Sequence, residues 1–138
     1  MKETFPGIVV DVQSSHVDMF GHLNHTRYLE FMEWARFAWA AHAGSPIDQM
    51  IAVDRVGPAI LRVNIQYRRE CKLGDRLRVT VEPLSKRRAI GVLRQVLTDV
   101  RTEERVCEAE LTFVMLDMDT RKVAPLPAVF LETLGAVG

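Results

Sequence analysis

The sequence predicts an α+β fold in which a curved antiparallel β-sheet wraps one long central helix. Three observations carry that expectation. One long run, residues 26–43 (TRYLEFMEWARFAWAAHA), consists largely of good helix formers. From Ala59 to Leu116 apolar and polar residues largely alternate with period two, the signature of half-buried strands. The breaks between those runs are short, as in an antiparallel meander. With 138 residues the chain suits a single domain, 1–138, and no repeat or low-complexity segment divides it.

Taken in order, Ile8 to Gln13 is β-prone, follows Pro6-Gly7 and reads as the first strand. His16 to Asn24 has no sustained period. Asn24 is the expected cap of the helix that follows, because its side chain can accept from amides that the first turn leaves unpaired. Gly44-Ser45-Pro46 stops that helix. On a helical wheel Tyr28, Phe31, Met32, Trp34, Phe37 and Trp39 reach nearly every azimuth, whereas a surface helix keeps one continuous polar face. The expectation is a helix enclosed by protein along its later turns.

Met50 to Val53 reads as a short strand and Ala59 to Arg68 as a longer one, with Leu61, Val63, Ile65 and Tyr67 sharing a face. After a turn at Leu73-Gly74-Asp75, Arg76 to Glu82 alternates with Leu77, Val79 and Val81 inward, and Pro83 to Arg87 reads as a break. Arg88 to Arg101 and Arg105 to Leu116 form two further strands joined at Thr102-Glu103-Glu104. Cys107, Ala109, Leu111, Phe113 and Met115 line one face of the second. Asp117 to Lys122 turns again, Pro125-Leu126-Pro127 ends extended structure, and the last residues form a short helix. Apolar residues on the outer strand faces, Ile90, Val92, Val96, Val106 and Val114, predict association with a second subunit.

Lys+Arg and Asp+Glu both number 18, so the formal net charge is zero, which argues against a protein that wraps nucleic acid. A local arginine cluster can still meet a small phosphorylated ligand. Cys71 and Cys107 lack the spacing of a redox pair or a zinc knuckle; two reduced, partly buried thiols are the preferred reading and a single structural disulfide the alternative. No stretch approaches the ~20 apolar residues needed to span a bilayer, and the start does not resemble a signal peptide. A cytoplasmic protein without membrane insertion is expected.

The chemistry concentrates where the irregular segment enters the helix. His16, His22 and His25 crowd around Asp18 within ten positions, which suits a metal site in number. The arrangement lacks the HExxH spacing and any second ligand cluster. A metal-free alternative uses the helix start itself: amides near Asn24 and His25 point where negative charge would develop, and Asp18 is placed to activate water or to attack a carbonyl. Gly21 permits a sharp turn or a close substrate approach. Taken alone, the same residues read equally well as a turn followed by a helix cap.

The segment HVDMFGHLNHTRYLEFMEWAR resembles the signature of 4-hydroxybenzoyl-CoA thioesterase-like proteins, which include the Tol-Pal-linked acyl-CoA thioesterases of the hot dog superfamily. The matching residues are Asp18, Gly21, His22, Asn24, His25, Tyr28, Glu33, Ala35 and Arg36. Ile65-Gln66-Tyr67-Arg68-Arg69, Leu73-Gly74-Asp75-Arg76-Leu77 and Lys122-Val123-Ala124-Pro125-Leu126-Pro127 extend the similarity over almost the whole chain.

The resemblance implies a hot dog fold and hydrolysis of an acyl-CoA thioester, with no metal or cofactor beyond the CoA of the substrate. It makes Asp18 the catalytic carboxylate and the His25 amide the group that polarises the carbonyl. His16, which stands where many relatives carry Asp, would tune Asp18 or shape the pocket; Gly21, His22, Asn24, Tyr28 and Phe20 would surround the substrate. Phe31 and Trp34 are further candidates for the acyl pocket wall. Glu33 reads as an ion-pair or interface residue, since Arg36 follows three positions on. Arg68, Arg69, Arg87 and Arg88, with Lys86, are the cations available to CoA phosphates. A homodimer, or a dimer of dimers, is the implied assembly. Two alternatives on the same scaffold are a module that binds acyl-CoA or an acyl-carrier thioester without turning it over, and a dehydratase or hydratase. The latter is disfavoured because it uses a differently spaced Asp and His set.

Overall fold

The computed structural model describes residues 4–137. The long helix-forming run folds as α1, His25–His42, after β1, Ile8–Asp11, and a single 3-10 turn, Ser14–His16. Asn24 caps α1 as its sequence suggests: its side-chain oxygen accepts from the Thr26 amide at 3.0 Å. A short helix α2, Ile47–Gln49, continues into a wider π-type turn, Met50–Asp54. Five strands then follow: β2, Val56–Tyr67; β3, Arg76–Val79; β4, Glu82–Arg87; β5, Ile90–Asp99; and β6, Arg105–Asp117. A two-residue β7, Val123–Ala124, and helix α3, Ala128–Val137, end the described chain.

All the strands join one antiparallel sheet of order β1-β3-β5-β6-β2, with β4 also on β5 and β7 on β6. β3 pairs with Leu97–Asp99 of β5 and β4 with Ile90–Arg94, so the two short strands form one interrupted line along β5. The core lies between α1 and the concave face of this sheet. Phe31, Met32 and Ala35 of the helix are fully buried, as are Leu77, Val79, Leu97 and Cys107 on the strands. The inward alternation on β6 is as the sequence indicates, with Cys107, Ala109, Leu111, Phe113 and Met115 all buried.

Several sequence expectations are corrected. Met50–Val53 is helical, because the chain leaving Pro46 keeps turning (the Met50 amide donates to the Pro46 carbonyl at 3.0 Å), and a short apolar run carries no period of its own. Pro83–Arg87 is strand: Pro83 pairs with Leu93 beside a register shift on a strand that pairs on one side only, a position at which sheets tolerate proline. Leu61 stands outside the register that pairs Val63, Ile65 and Tyr67 with β6, because a bulge between Ile60 and Arg62 takes it out of the pairing. Val106 and Val114 are not outer-face residues awaiting a partner; they are 0% and 5% exposed. Val106 sits in the register shift opposite Leu97 and Thr98, which turns it into the core. Nor does protein enclose α1 on all sides: its sheet-facing residues are buried, but Trp34 and Phe37 remain 39% and 47% exposed because the sheet covers one side only.

A polar contact fixes the helix against the sheet. Gln95, on the inward face of β5, is fully buried. Its amide nitrogen donates to the Met32 carbonyl at 3.0 Å and to the Thr80 carbonyl at 3.3 Å, and its oxygen accepts from Arg36 Nη1 at 2.9 Å. Arg36 therefore does not pair with Glu33, which acts on it only through space. Burial lowers the proton affinity of the guanidinium and Glu33 partly offsets that. Gln95→Leu keeps the volume but strips Arg36 of its acceptor. It should destabilise the protein by about 2 kcal/mol, read as a lower urea midpoint at unchanged slope; a midpoint within error of wild type would show that the contact is dispensable.

Candidate active site

The segment between the 3-10 turn and α1 is pinned from both sides. The Asn24 amide donates to the His16 carbonyl at 2.9 Å and the Leu23 amide to the Cys71 carbonyl at 2.8 Å. Between these anchors residues 18–22 form a tight turn: the Asp18 amide reaches the His22 carbonyl at 2.9 Å, and the Gly21 amide reaches the Asp18 carbonyl at 3.0 Å. Gly21 has φ +80° with no atom within 4 Å of where a Cβ would stand, so the turn, not crowding, requires glycine here. Asp18 is exposed, and its Oδ1 accepts from the Phe20 and His22 amides at 2.9 and 3.2 Å. Among the described residues Oδ2 has no protein partner, so one oxygen holds the turn while the other faces outward.

His25 is the first residue of α1, and its amide has no acceptor among the described residues; the Thr26 amide is taken by the Asn24 cap and that of Arg27 by the Asn24 carbonyl. The uncommitted donor sits at the positive end of an 18-residue helix. The Tyr67 hydroxyl donates to the His25 carbonyl at 3.2 Å and so ties the helix start to β2. Asp18 and the His25 amide thus belong to one corner, linked by six residues with both ends fastened.

The remaining candidates separate. His16 is buried; its Nδ1 accepts from the Gln13 amide at 3.1 Å, which leaves the proton on Nε2, and its ring lies edge-on to Phe31 at 5.0 Å. His22 is half-exposed, 3.3 Å from Glu70. Among the described residues no group of three or more His, Cys, Asp or Glu side chains is arranged to hold a metal. Tyr28 lies in the core: it is 3% exposed, packs edge-on against Tyr67 at 5.1 Å and bonds Cys71, and burial raises its phenol above the ordinary range. Phe31 is fully buried in the core, and Phe20 is 76% exposed at the turn tip. Both cysteines are free and buried, and desolvation pushes the Cys107 thiol up to about 12, which keeps it protonated and unreactive.

The arginines divide in the same way. Arg68 is held by Glu108, and Arg69 donates to Asp99 at 2.6 Å. Arg87 and Arg88 stand exposed at the β4–β5 turn, without ion pairs among the described residues. Sequence reading missed an apolar cavity of about 180 Å³ between the second half of α1 and the sheet, which Phe37, Ala40, Leu93, Phe113, Met115 and Phe130 help to line. The available signal was small residues, Ala40 and Ala43, at helical spacing opposite large ones on β6.

With this geometry in hand, comparison with known proteins is decisive. The sequence pattern of the thioesterase-like superfamily matches residues 12–134. The chain belongs to that superfamily. It is 33% identical over 125 residues to the long-chain acyl-CoA thioesterase FadM of Escherichia coli strain K12, covering 91% of this chain and 93% of that one. The crystal structure of YbaW, a probable thioesterase from Escherichia coli, superposes with TM-score 0.81 at 31% identity, over 94% and 96% of the two chains. SAV2348 of Staphylococcus aureus, solved in complex with CoA, shares the fold with TM-score 0.85 at 17% identity, over 99% of this chain and 85% of that one. The thioesterase-like domain is thus a hot dog fold, as the motif resemblance implies.

The Arg69–Asp99 pair supports the strand exit that receives Leu23, since Arg69 lies two residues before Cys71. The Arg69 guanidinium holds the Asp99 carboxyl below its ordinary range, helped by the Arg101 amide. As pH falls, the unfolded chain protonates first, at about 4. The pair's stabilisation is therefore complete above that value and is lost as pH drops through the lower folded-state pKa. Asp99→Asn should lower the denaturation midpoint at pH 7, and the gap to wild type should narrow when both are measured below about pH 4; an equal gap at both pH values would remove the ion pair as its source.

Proposed function

We infer that the protein hydrolyses an acyl-CoA thioester to the free acid and CoA, with Asp18 as general base or nucleophile and the His25 amide polarising the thioester carbonyl. The observation that supports this reading is the fixed corner itself, where an exposed carboxylate and an uncommitted helix N-terminal donor are held by the same short segment. A thioester carbonyl set on the His25 amide gains little in the ground state. It gains more once attack places negative charge on its oxygen, so the donor and the helix dipole lower the barrier selectively. As a base, Asp18 takes the proton of the attacking water; as a nucleophile, it forms an anhydride that water then cleaves. In both routes collapse of the tetrahedral intermediate breaks the C–S bond and releases CoA as a thiolate, a good leaving group because thiols ionise near pH 8–9. No metal or cofactor enters either route. FadM and the CoA-bound relative are consistent with such a substrate.

Arg87 and Arg88, with Lys86, are assigned to the CoA phosphates, since their charges are not committed to carboxylates in the protein. A second copy of the chain is assigned to the free edge of β2. That strand pairs on one side only and exposes Ile60, Leu61, Val63 and Tyr67, an unprotected apolar edge of the kind that natural sheets cover. A dimer of dimers would extend the same assembly. The reading places the protein in the cytoplasm, consistent with two free thiols; no helix of the described residues is long and apolar enough to cross a membrane.

Asp18→Asn should reduce kcat/KM for thiol release from a good acyl-CoA by about 10²–10⁴; undiminished turnover would sink the role given to Asp18. His25→Ala should cost about tenfold or less, because the donor is backbone; a loss as severe as at Asp18 would mean that the imidazole takes part. Light scattering should give at least twice the 15.7 kDa chain mass, and Leu61→Lys should shift the particle toward that mass. A wild-type protein of single-chain mass at assay concentration would remove the edge-pairing assignment.

A further inference from the structure

The His25 amide can polarise a carbonyl only if the first residue of α1 stays in place, and the helix itself does little to keep it there. Intrahelical bonding holds His25 through its carbonyl alone, since the first amides of a helix have no partner a turn before them. Helix ends fray for this reason. The Asn24 cap does not close the gap: its side chain takes the Thr26 amide and its carbonyl the Arg27 amide, both beyond His25. What remains is a tertiary contact. The Tyr67 hydroxyl donates to the His25 carbonyl at 3.2 Å, and no other side chain among the described residues bonds that residue's backbone.

The register of the sheet explains why Tyr67 reaches the helix start. Tyr67 is the last residue of β2 and pairs with Cys107 of β6. Residues directly opposite in an antiparallel ladder share a face, and Cys107 is fully buried on the inward one. Tyr67 therefore stands on the α1 side of the sheet, at the end of its strand. Its ring meets Tyr28 edge-on at 5.1 Å. Tyr28 follows His25 by three positions and so shares its side of the helix. It bonds Cys71 in turn, whose carbonyl accepts from the Leu23 amide at 2.8 Å. Leu23, Cys71, Tyr28, Tyr67 and His25 thus form a closed circuit around the helix start. Phenylalanine would serve the packing on Tyr28 as well as tyrosine does. The hydroxyl is the part that touches His25.

We propose that Tyr67 is a positioning residue for hydrolysis, its hydroxyl holding the first turn of α1 so that the His25 amide stands where the oxyanion forms. The inference rests on the thioesterase reading and adds to it the group that sets the donor's position. The carboxylate half of the corner is fixed separately, by the Phe20 and His22 amides on Asp18, so Tyr67 governs one half of the site without touching the other. The donor stabilises the transition state more than the ground state, and its alignment counts most there. Loosening it lowers kcat and leaves substrate affinity nearly as it was.

The test uses the full-length protein as wild type, Tyr67→Phe, His25→Pro and the double variant. Each is unfolded in urea and assayed for thiol release with whichever of butanoyl-, dodecanoyl-, hexadecanoyl- and benzoyl-CoA the wild type turns over fastest. Proline at position 25 deletes the N–H yet keeps the carbonyl that Tyr67 meets. The site accepts it: the first helical position favours proline, and Asn24 before it lies at φ −61°, ψ 132°, the extended region that a following proline requires. Tyr67→Phe should lower kcat about tenfold, with KM within about twofold and a urea midpoint close to wild type. His25→Pro should lower kcat about 10²–10³. In the double variant the loss from Tyr67→Phe should disappear, since no donor is left to be misplaced. A merely structural tyrosine would give the same proportional loss in both backgrounds, and that result overturns the assignment. An unchanged kcat in Tyr67→Phe overturns it whatever the proline variants do. A His25→Pro enzyme as fast as wild type removes the amide as donor and the Tyr67 role with it, while leaving hydrolysis itself standing. A wild type inactive on the whole panel defeats the thioesterase reading, and this inference with it.

Discussion

The structure depends on one buried amide. Gln95 sits among Leu93 and Leu97 on the inward face of β5 and spends both ends of its side chain on the contact with α1: its nitrogen on the Met32 carbonyl, its oxygen on Arg36. An apolar residue there would let the helix slide or rotate on the sheet at little cost, because hydrophobic contact is non-directional. A hydrogen-bonded amide does not, since a shift of an ångström leaves buried polar groups unmatched. The helix start and the cavity lie on opposite sides of this anchor. Their spacing relative to the sheet is fixed by it.

The corner is fixed by separate means. The Asp18 carboxylate uses one oxygen to close its own turn, and the segment that follows is fastened to the His16 carbonyl on one side and the Cys71 carbonyl on the other. Cys71 is carried by the strand exit that Arg69 and Asp99 hold in place. A carboxylate on a free loop would sample many orientations relative to the helix amide. Here its backbone is bonded on both sides, so little ordering is left to the moment of reaction.

The sequence states the elements with strong periodicity and misses what depends on packing between them. The α1 boundaries, the Asn24 cap and the inward face of β6 were legible because each is set by neighbours within one element. The break read at Pro83 was wrong because a strand line can be interrupted and still continue along a partner. The strand read at Met50 was wrong because four apolar residues have no period to read. Tyr28 and Phe20, both expected around the substrate, differ for a related reason: the motif orders residues along the chain, whereas burial depends on the strand that later folds over Tyr28 and on what lies beyond the turn at Phe20. Arg68 and Arg69 looked as available as Arg87 and Arg88 until Glu108 and Asp99, about 30–40 positions away, were seen to hold them. Gln95 carries no signal in the sequence that sets it apart from other polar residues of its strand.

The helix that joins corner and cavity also gives the site a polarity. Its N-terminus offers an uncommitted amide and partial positive charge, suited to an oxyanion and to the product carboxylate. At its C-terminus the Ala43 amide caps the Trp39 and Ala41 carbonyls, and the nearby cavity presents hydrocarbon. Negative charge developing on a carbonyl is therefore favoured at the start of α1 and opposed at its end, where carbonyl oxygens gather at the negative end of the dipole. The two ends of one helix thus differ both in field and in the polarity of what surrounds them.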